Sequence, residues 1–176
     1  MKIAIIIALV VIAFLVFVAS RPSQYRVERS TTIAAPAAVV FPQINDLHKA
    51  AVWSPWLKID PNVKVAYEGA AAGVGAVSTW AGNSEIGEGR QTIVESKADA
   101  LVRIKLEFIK PMVGVATTDF TLTSEGGKIR VTWSMYGDNN FIGKIFCLFM
   151  NQEKMIGTPF EKGLADLKAL TETEEK

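Results

Sequence analysis

One cysteine and one histidine in 176 residues leave little room for thiol or imidazole chemistry. Cys147 can form no disulfide within the chain and no multi-thiolate metal site. It sits in Phe146-Cys147-Leu148-Phe149, where a free cysteine behaves as a small hydrophobe. His48 has no neighbours at a metal-ligand spacing, and Asn45, Asp46 and Lys49 around it read as helix-end polar residues. No metal site and no cofactor are expected. Surplus charge is also missing: 19 Lys and Arg stand against 18 Asp and Glu, a net +1. That excludes the clustered basic surface by which nucleic-acid binders announce themselves. No P-loop is present either. Gly69 to Gly75 is glycine-rich but lacks the Lys-Ser/Thr pair and the helix that should follow it, because Ala76 to Trp80 reads as a strand.

What the chain does have is a run of 17 apolar residues, Ile3 to Ala19. At about 1.5 Å per residue, such a helix can just cross a hydrocarbon core roughly 30 Å thick. A secretory signal has a shorter apolar core, of about 7–15 residues. Val18-Ala19-Ser20 could serve as a weak cleavage site, but the unbroken Ile/Leu/Val/Phe character favours a retained single-pass anchor. Residues 1–20 are accordingly expected to be a transmembrane anchor, with membrane contact through 3–19, residues 21–24 a linker and 25–171 one domain. Lys2 precedes the run, and Arg21, Arg26 and Arg29 follow it. By the positive-inside rule this small excess favours a cytoplasmic domain, although short N-terminal anchors also deliver domains to the other side.

Beyond the linker, Tyr25 to Ile33 has strand character. Pro36 suits a first helical turn, and Val39, Val40, Phe41 and Ile44 follow at helical spacing, with Pro42 keeping that helix short or kinked. The proline-punctuated stretch Trp53 to Pro61 is expected to hold no regular element. From Val63 to Tyr136 strands alternate with turn signals at Gly73-Val74-Gly75, Gly82-Asn83, Gly87-Glu88-Gly89 and Glu125-Gly126-Gly127. Val102, Ile104, Leu106 and Phe108 share one face opposite Arg103, Lys105 and Glu107. Ile129, Val131, Trp133 and Met135 repeat that pattern, and so do Phe120 and Leu122. Phe141 to Met150 is apolar nearly all round, as a helix buried or set against a membrane would be. Ile156, Phe160, Leu164, Leu167 and Leu170 then recur every three or four residues. Thr158-Pro159-Phe160-Glu161 matches a capping box, which predicts that the terminal helix restarts or kinks there. Glu172 to Lys176 is expected to be a frayed, charged tail.

Helices grouped against a run of antiparallel strands define an α+β class. The expected architecture is a curved antiparallel sheet wrapped around a long C-terminal helix, with a transmembrane helix at the N-terminus. Such a sheet presents apolar residues on its inner face and leaves room for a cavity.

Pro36, Val40-Phe41-Pro42, Trp53-Ser54-Pro55-Trp56, Gly82-Asn83-Ser84-Glu85, Phe108-Ile109-Lys110-Pro111, Val131-Thr132-Trp133 and Phe160-Glu161-Lys162-Gly163-Leu164 together resemble the polyketide cyclase/dehydrase-like branch of the SRPBCC superfamily, the START-like helix-grip proteins. The resemblance covers most of the chain from Tyr25 to Leu170. It implies the architecture just described, with a deep hydrophobic cavity. Superfamily members include lipid carriers, aromatic-polyketide cyclases, hormone receptors and chaperone partners, so the fold alone does not fix an activity.

The leading expectation is a membrane-anchored domain that binds a hydrophobic small molecule or lipid. Trp80, Phe108, Phe120, Trp133 and Met135 would form the wall, and Ile156, Phe160 and Leu164 the helix lid. Glu85 and Arg90, near a glycine-rich turn, could orient a polar head group at the mouth. An enzyme acting on a hydrophobic substrate, with Glu85, Arg90 or Tyr136 in acid–base or orienting roles, remains open. So does a protein-interaction module, and the ligand and oligomeric state stay open too.

Overall fold

The computed structural model describes residues 2–149 and 151–173. Helix α1 (Lys2–Ser20) has a mean hydropathy of 3.3, and only 6% of it is buried. It is long and apolar enough to cross a membrane. Strand β1 (Gln24–Ile33) follows, then helices α2 (Ala37–Asn45) and α3 (Leu47–Trp53). Six more strands come next: β2 (Lys64–Gly69), β3 (Ala76–Ala81), β4 (Glu88–Lys97), β5 (Leu101–Lys110), β6 (Gly114–Glu125) and β7 (Lys128–Asp138). Helices α4 (Phe141–Phe149) and α5 (Gln152–Thr173) complete the chain.

All seven strands join one antiparallel sheet in the order β1-β7-β6-β5-β4-β3-β2. The alternation read from the sequence sets its faces. Val102, Ile104, Phe120, Leu122, Val131, Trp133 and Met135 are buried on the inner face against α2, α3 and α5. Helix α5 lies across that face as the grip, with Phe160, Leu164 and Leu167 almost wholly buried.

Register gives the sheet two distinct ends. Gln24 pairs with Asp138, Phe108 with Gly114, Glu88 with Lys110 and Lys64 with Ala81, all at one end. Ile33 with Ile129, Lys97 with Leu101, Glu125 with Lys128 and Gly69 with Ala76 lie at the other. Helix α1 therefore joins the domain at the end where β7 passes into α4 and β5 turns into β6.

Three local expectations are corrected. Helix α5 runs unbroken through Pro159 and does not restart there. Its start is set at Asn151, whose side chain accepts the Lys154 N–H at 3.1 Å, so the Thr158–Glu161 capping pattern is not used. Gly89 lies inside β4, while Gly87 occupies the turn with φ +68°. Of the two settings expected for residues 141–150, burial in the protein is not what α4 shows, since it has no fully buried residue; Met150 lies outside the described residues. Glu172 is not frayed: it belongs to α5 and accepts the Ala34 N–H at 2.7 Å; residues 174–176 of the expected tail lie outside the described ones. His48 and Lys49 do sit at a helix end, because the Asp46 side chain caps α3 through both their N–H groups at 2.9 and 3.4 Å.

Candidate functional site

Between the inner sheet face, α3, α4 and the first half of α5 lies a cavity of about 850 Å³. Its size falls in the range of small-molecule sites, roughly 300–1,000 Å³. The floor is a ring cluster. Trp133 stacks on Phe160 with centroids 4.0 Å apart and planes at 11°, lies 4.8 Å from Phe120, and meets the edge of Trp53 at 5.6 Å. Gly163 makes this possible, since a Cβ there would approach Trp133 Cζ3 to 2.8 Å and Pro55 Cδ to 2.9 Å. Farther along the sheet, Trp80 meets Phe108 edge to face at 6.1 Å. Gly89 gives Trp80 its seat, because any side chain there would overlap its six-membered ring.

A few polar groups interrupt this lining. Gln91 Nε2 donates to Ser78 Oγ at 2.8 Å, and Thr118 and Tyr67 also face the space. Trp133 is 6% exposed, and among the described residues its Nε1–H has no hydrogen-bond partner. The Cζ3 edge of that indole abuts Gly163, and the Nε1 atom itself is sealed off from the cavity space. At the mouth stand Glu85, Lys110, Asp138, Asn139, Asn140 and Gln152, together with the apolar Met112, Val113, Ile142 and Phe146.

Burial pushes the Tyr25 hydroxyl above its ordinary pKa, with nearby Cys147 adding to the shift. Tyr67 moves the same way by burial, helped by Asp46. The Cys147 thiol is also raised by burial, opposed by the hydrogen bond from Asn139. All three groups line the cavity and are neutral near pH 7. Among the described residues no group of three His, Cys, Asp or Glu side chains is placed to hold a metal ion.

Of the residues expected at a site, Trp80, Phe108, Phe120, Trp133, Met135, Ile156, Phe160 and Glu85 border the cavity. Leu164 and Arg90 do not. Leu164 is core, 2% exposed and one helical turn beyond Phe160. Arg90 projects from the outer sheet face toward Glu68, 4.0 Å away, because strand alternation sends it opposite to Gly89 and Gln91. Tyr136 lies on that outer face as well. Its hydroxyl donates to Asp119 at 3.2 Å, and Asp119 receives Arg103 at 2.8 and 3.0 Å. The hydrogen bonds from Arg103 to Asp119 hold that guanidinium further toward its charged form. Sequence reasoning missed the Ser78–Gln91 pair, Thr118, and the apolar mouth at Met112, Val113 and Ile142. Period-2 alternation carried the first three, since Ser78, Gln91 and Thr118 share faces with buried neighbours. No local signal marked the mouth.

The grip helix, the curved sheet and the enclosed apolar space define a helix-grip protein built around a hydrophobic cavity. The chain belongs to the polyketide cyclase/dehydrase and lipid transport family, whose sequence model matches residues 24–172. Solved structures share the fold at low identity. A Chromobacterium violaceum protein is 18% identical with a TM-score of 0.57, over 86% of this chain and 99% of that one. The major latex-like protein 151 of Panax ginseng is 16% identical with a TM-score of 0.60, over 84% and 97%. The di-domain ARO/CYC StfQ from the steffimycin biosynthetic pathway is 11% identical with a TM-score of 0.62, over 87% of this chain and 52% of that protein. No curated protein matches the sequence.

Proposed function

We propose that this protein is a membrane-anchored domain that takes a hydrophobic small molecule or lipid into its central cavity. The observation that carries the reading is the cavity itself: about 850 Å³, walled by aromatic and aliphatic side chains, with a sparse, neutral polar set inside. Burying about 300 Å² of apolar ligand surface at about 25 cal/mol per Å² gives roughly 7.5 kcal/mol before ordering costs. The Ser78–Gln91 pair and Thr118 supply the few directional contacts such sites use for orientation. The family's sequence model and the latex-like and cyclase-type folds of its neighbours support the same ligand class, and α1 supplies the anchor.

Native mass spectrometry of the full chain, purified in detergent from membranes, tests the proposal. The expected result is a ligand-bound mass that extraction identifies as a lipid or another apolar molecule. Repeated recovery of empty protein that also binds no apolar fluorescent probe would overturn it.

A further inference from the structure

We infer that α4 and the Met112–Val113 turn form a membrane-seating surface, so that the cavity mouth opens onto the bilayer. Its ligand then enters from the lipid phase and not from water. The inference rests on the reading of α1 as a membrane span.

Helix α4 is apolar but unburied. Phe141 is 42% exposed, Ile142 65% and Phe149 78%. A soluble protein rarely leaves such a patch on one short helix without a partner for it. Across the mouth, the turn between β5 and β6 adds Met112 and Val113, exposed by 46% and 78%. A hairpin tip normally carries polar turn residues, so two large apolar ones there form a second unpartnered feature beside the first.

Three independent observations make the bilayer the occupant. Strand register puts the end of α1, the Met112–Val113 turn and the passage from β7 into α4 at the same end of the sheet. The opposite end turns through Asp99 and through Glu125–Lys128. The end of α1 also touches α4 directly: Lys144 Nζ donates to the Ala19 carbonyl at 3.3 Å, and Val18 is fully buried. A span ending at Ser20 therefore leaves α4 at the depth where the membrane stops. Finally, charge sits where an interface would want it. The Arg21 guanidinium lies 4.5 Å over the Phe17 ring, and neither Arg21 nor Lys144 pairs with a carboxylate among the described residues. Both can reach lipid phosphates while their stems stay in apolar surroundings.

The same helix builds the mouth. Ile142 and Phe146 face the cavity opening, one turn apart, while Phe141 and Phe149 lie outside its lining. A ligand leaving the bilayer beside α4 would pass from lipid to protein along continuous apolar surface. That route avoids exposing the ligand's apolar surface to water.

Single-cysteine variants Val113→Cys, Ile142→Cys, Phe149→Cys and, as a control at the far end, Lys128→Cys, all in a Cys147→Ser background, test the seating. The full chain, carrying an environment-sensitive fluorophore at each position, is reconstituted into phosphatidylcholine vesicles containing a lipid spin-labelled near its head group. Quenching at 113, 142 and 149 should exceed that at 128 several-fold. Equal quenching at all four, with α1 still resistant to alkaline carbonate extraction, would overturn the inference and leave the anchor reading intact. Extraction by carbonate would overturn the anchor reading instead. Energy transfer between copies at 149 without lipid quenching would assign the face to a second copy and overturn the inference.

A functional arm uses Phe141→Glu/Phe149→Glu, which alters α4 outside the cavity lining. Transfer of a pyrene-labelled fatty acid from vesicles to the protein should slow about tenfold. Equilibrium binding of the same probe from detergent should change less than twofold. An unchanged transfer rate would overturn the inference.

Discussion

Trp133 decides much at the scale of single residues. Its indole sits among Phe160, Phe120 and Trp53, with centroid distances between 4.0 and 5.6 Å, so its rings carry the packing of the cavity floor. Its N–H contributes nothing to that packing and has no partner among the described residues. A buried donor left unpaired costs about 1–3 kcal/mol. Replacing Trp133 by Phe removes that cost and some ring area together, so the unliganded protein should change stability by less than about 1 kcal/mol. Trp133→Ala removes the stacked rings outright and should cost about 3–5 kcal/mol. Urea unfolding of both variants checks this, and near-equal losses would mean that the N–H is satisfied in solution. Periodicity in the sequence placed Trp133 on the inner face correctly, alongside Met135 and Phe120. It could not reveal the orphan donor, which depends on where β7, α3 and α5 meet.

Elements show a sharper divide between what is local and what is not. The strands were legible because alternation is imposed by one dry and one wet face, as in β5 with Val102 and Ile104 buried against Arg103 and Lys105 outside. Gly89 shows the limit of that legibility. As part of Gly87-Glu88-Gly89 it carries a turn signal, yet it is already the second residue of β4, paired across the sheet with Trp80, where the absence of a side chain is the requirement. A Cβ at Gly89 would overlap the Trp80 ring and come within 2.7 Å of the Glu107 carbonyl oxygen. The carbonyl belongs to the neighbouring strand and cannot yield, so Gly89→Ala should cost about 1–3 kcal/mol by overpacking. A thermal melt reads the loss, and Trp80 fluorescence should report the displaced ring. Pro159 is the converse case. Its capping pattern is locally sound, but whether a helix begins there depends on the preceding turn, and Asn151 starts α5 two turns earlier.

For the molecule as a whole, the question the sequence could not answer was whether the interior is filled. Apolar lining and apolar core have the same composition; only the spacing between α5 and the curved sheet leaves about 850 Å³ open. The alignment of that opening with the end of the sheet that α1 joins is equally non-local, because it follows from six strand registers. An open interior makes a prediction that a filled one does not. Leu106 projects into the cavity from β5 and is only partly buried, since its neighbour across the space is empty volume. Leu106→Trp puts a larger side chain into that volume. In a filled core, such a change forces neighbours off their rotamers and costs about 1–3 kcal/mol. Here it should lose no stability and can gain, because added apolar surface is buried at about 25 cal/mol per Å² without displacing packed atoms. The same substitution occupies space a ligand needs, so affinity for an apolar fluorescent probe should fall at least tenfold. Unchanged or raised Tm together with lost binding is the expected pair. A lowered Tm with binding intact would mean that the space beside Leu106 is closed in solution and that the probe binds elsewhere.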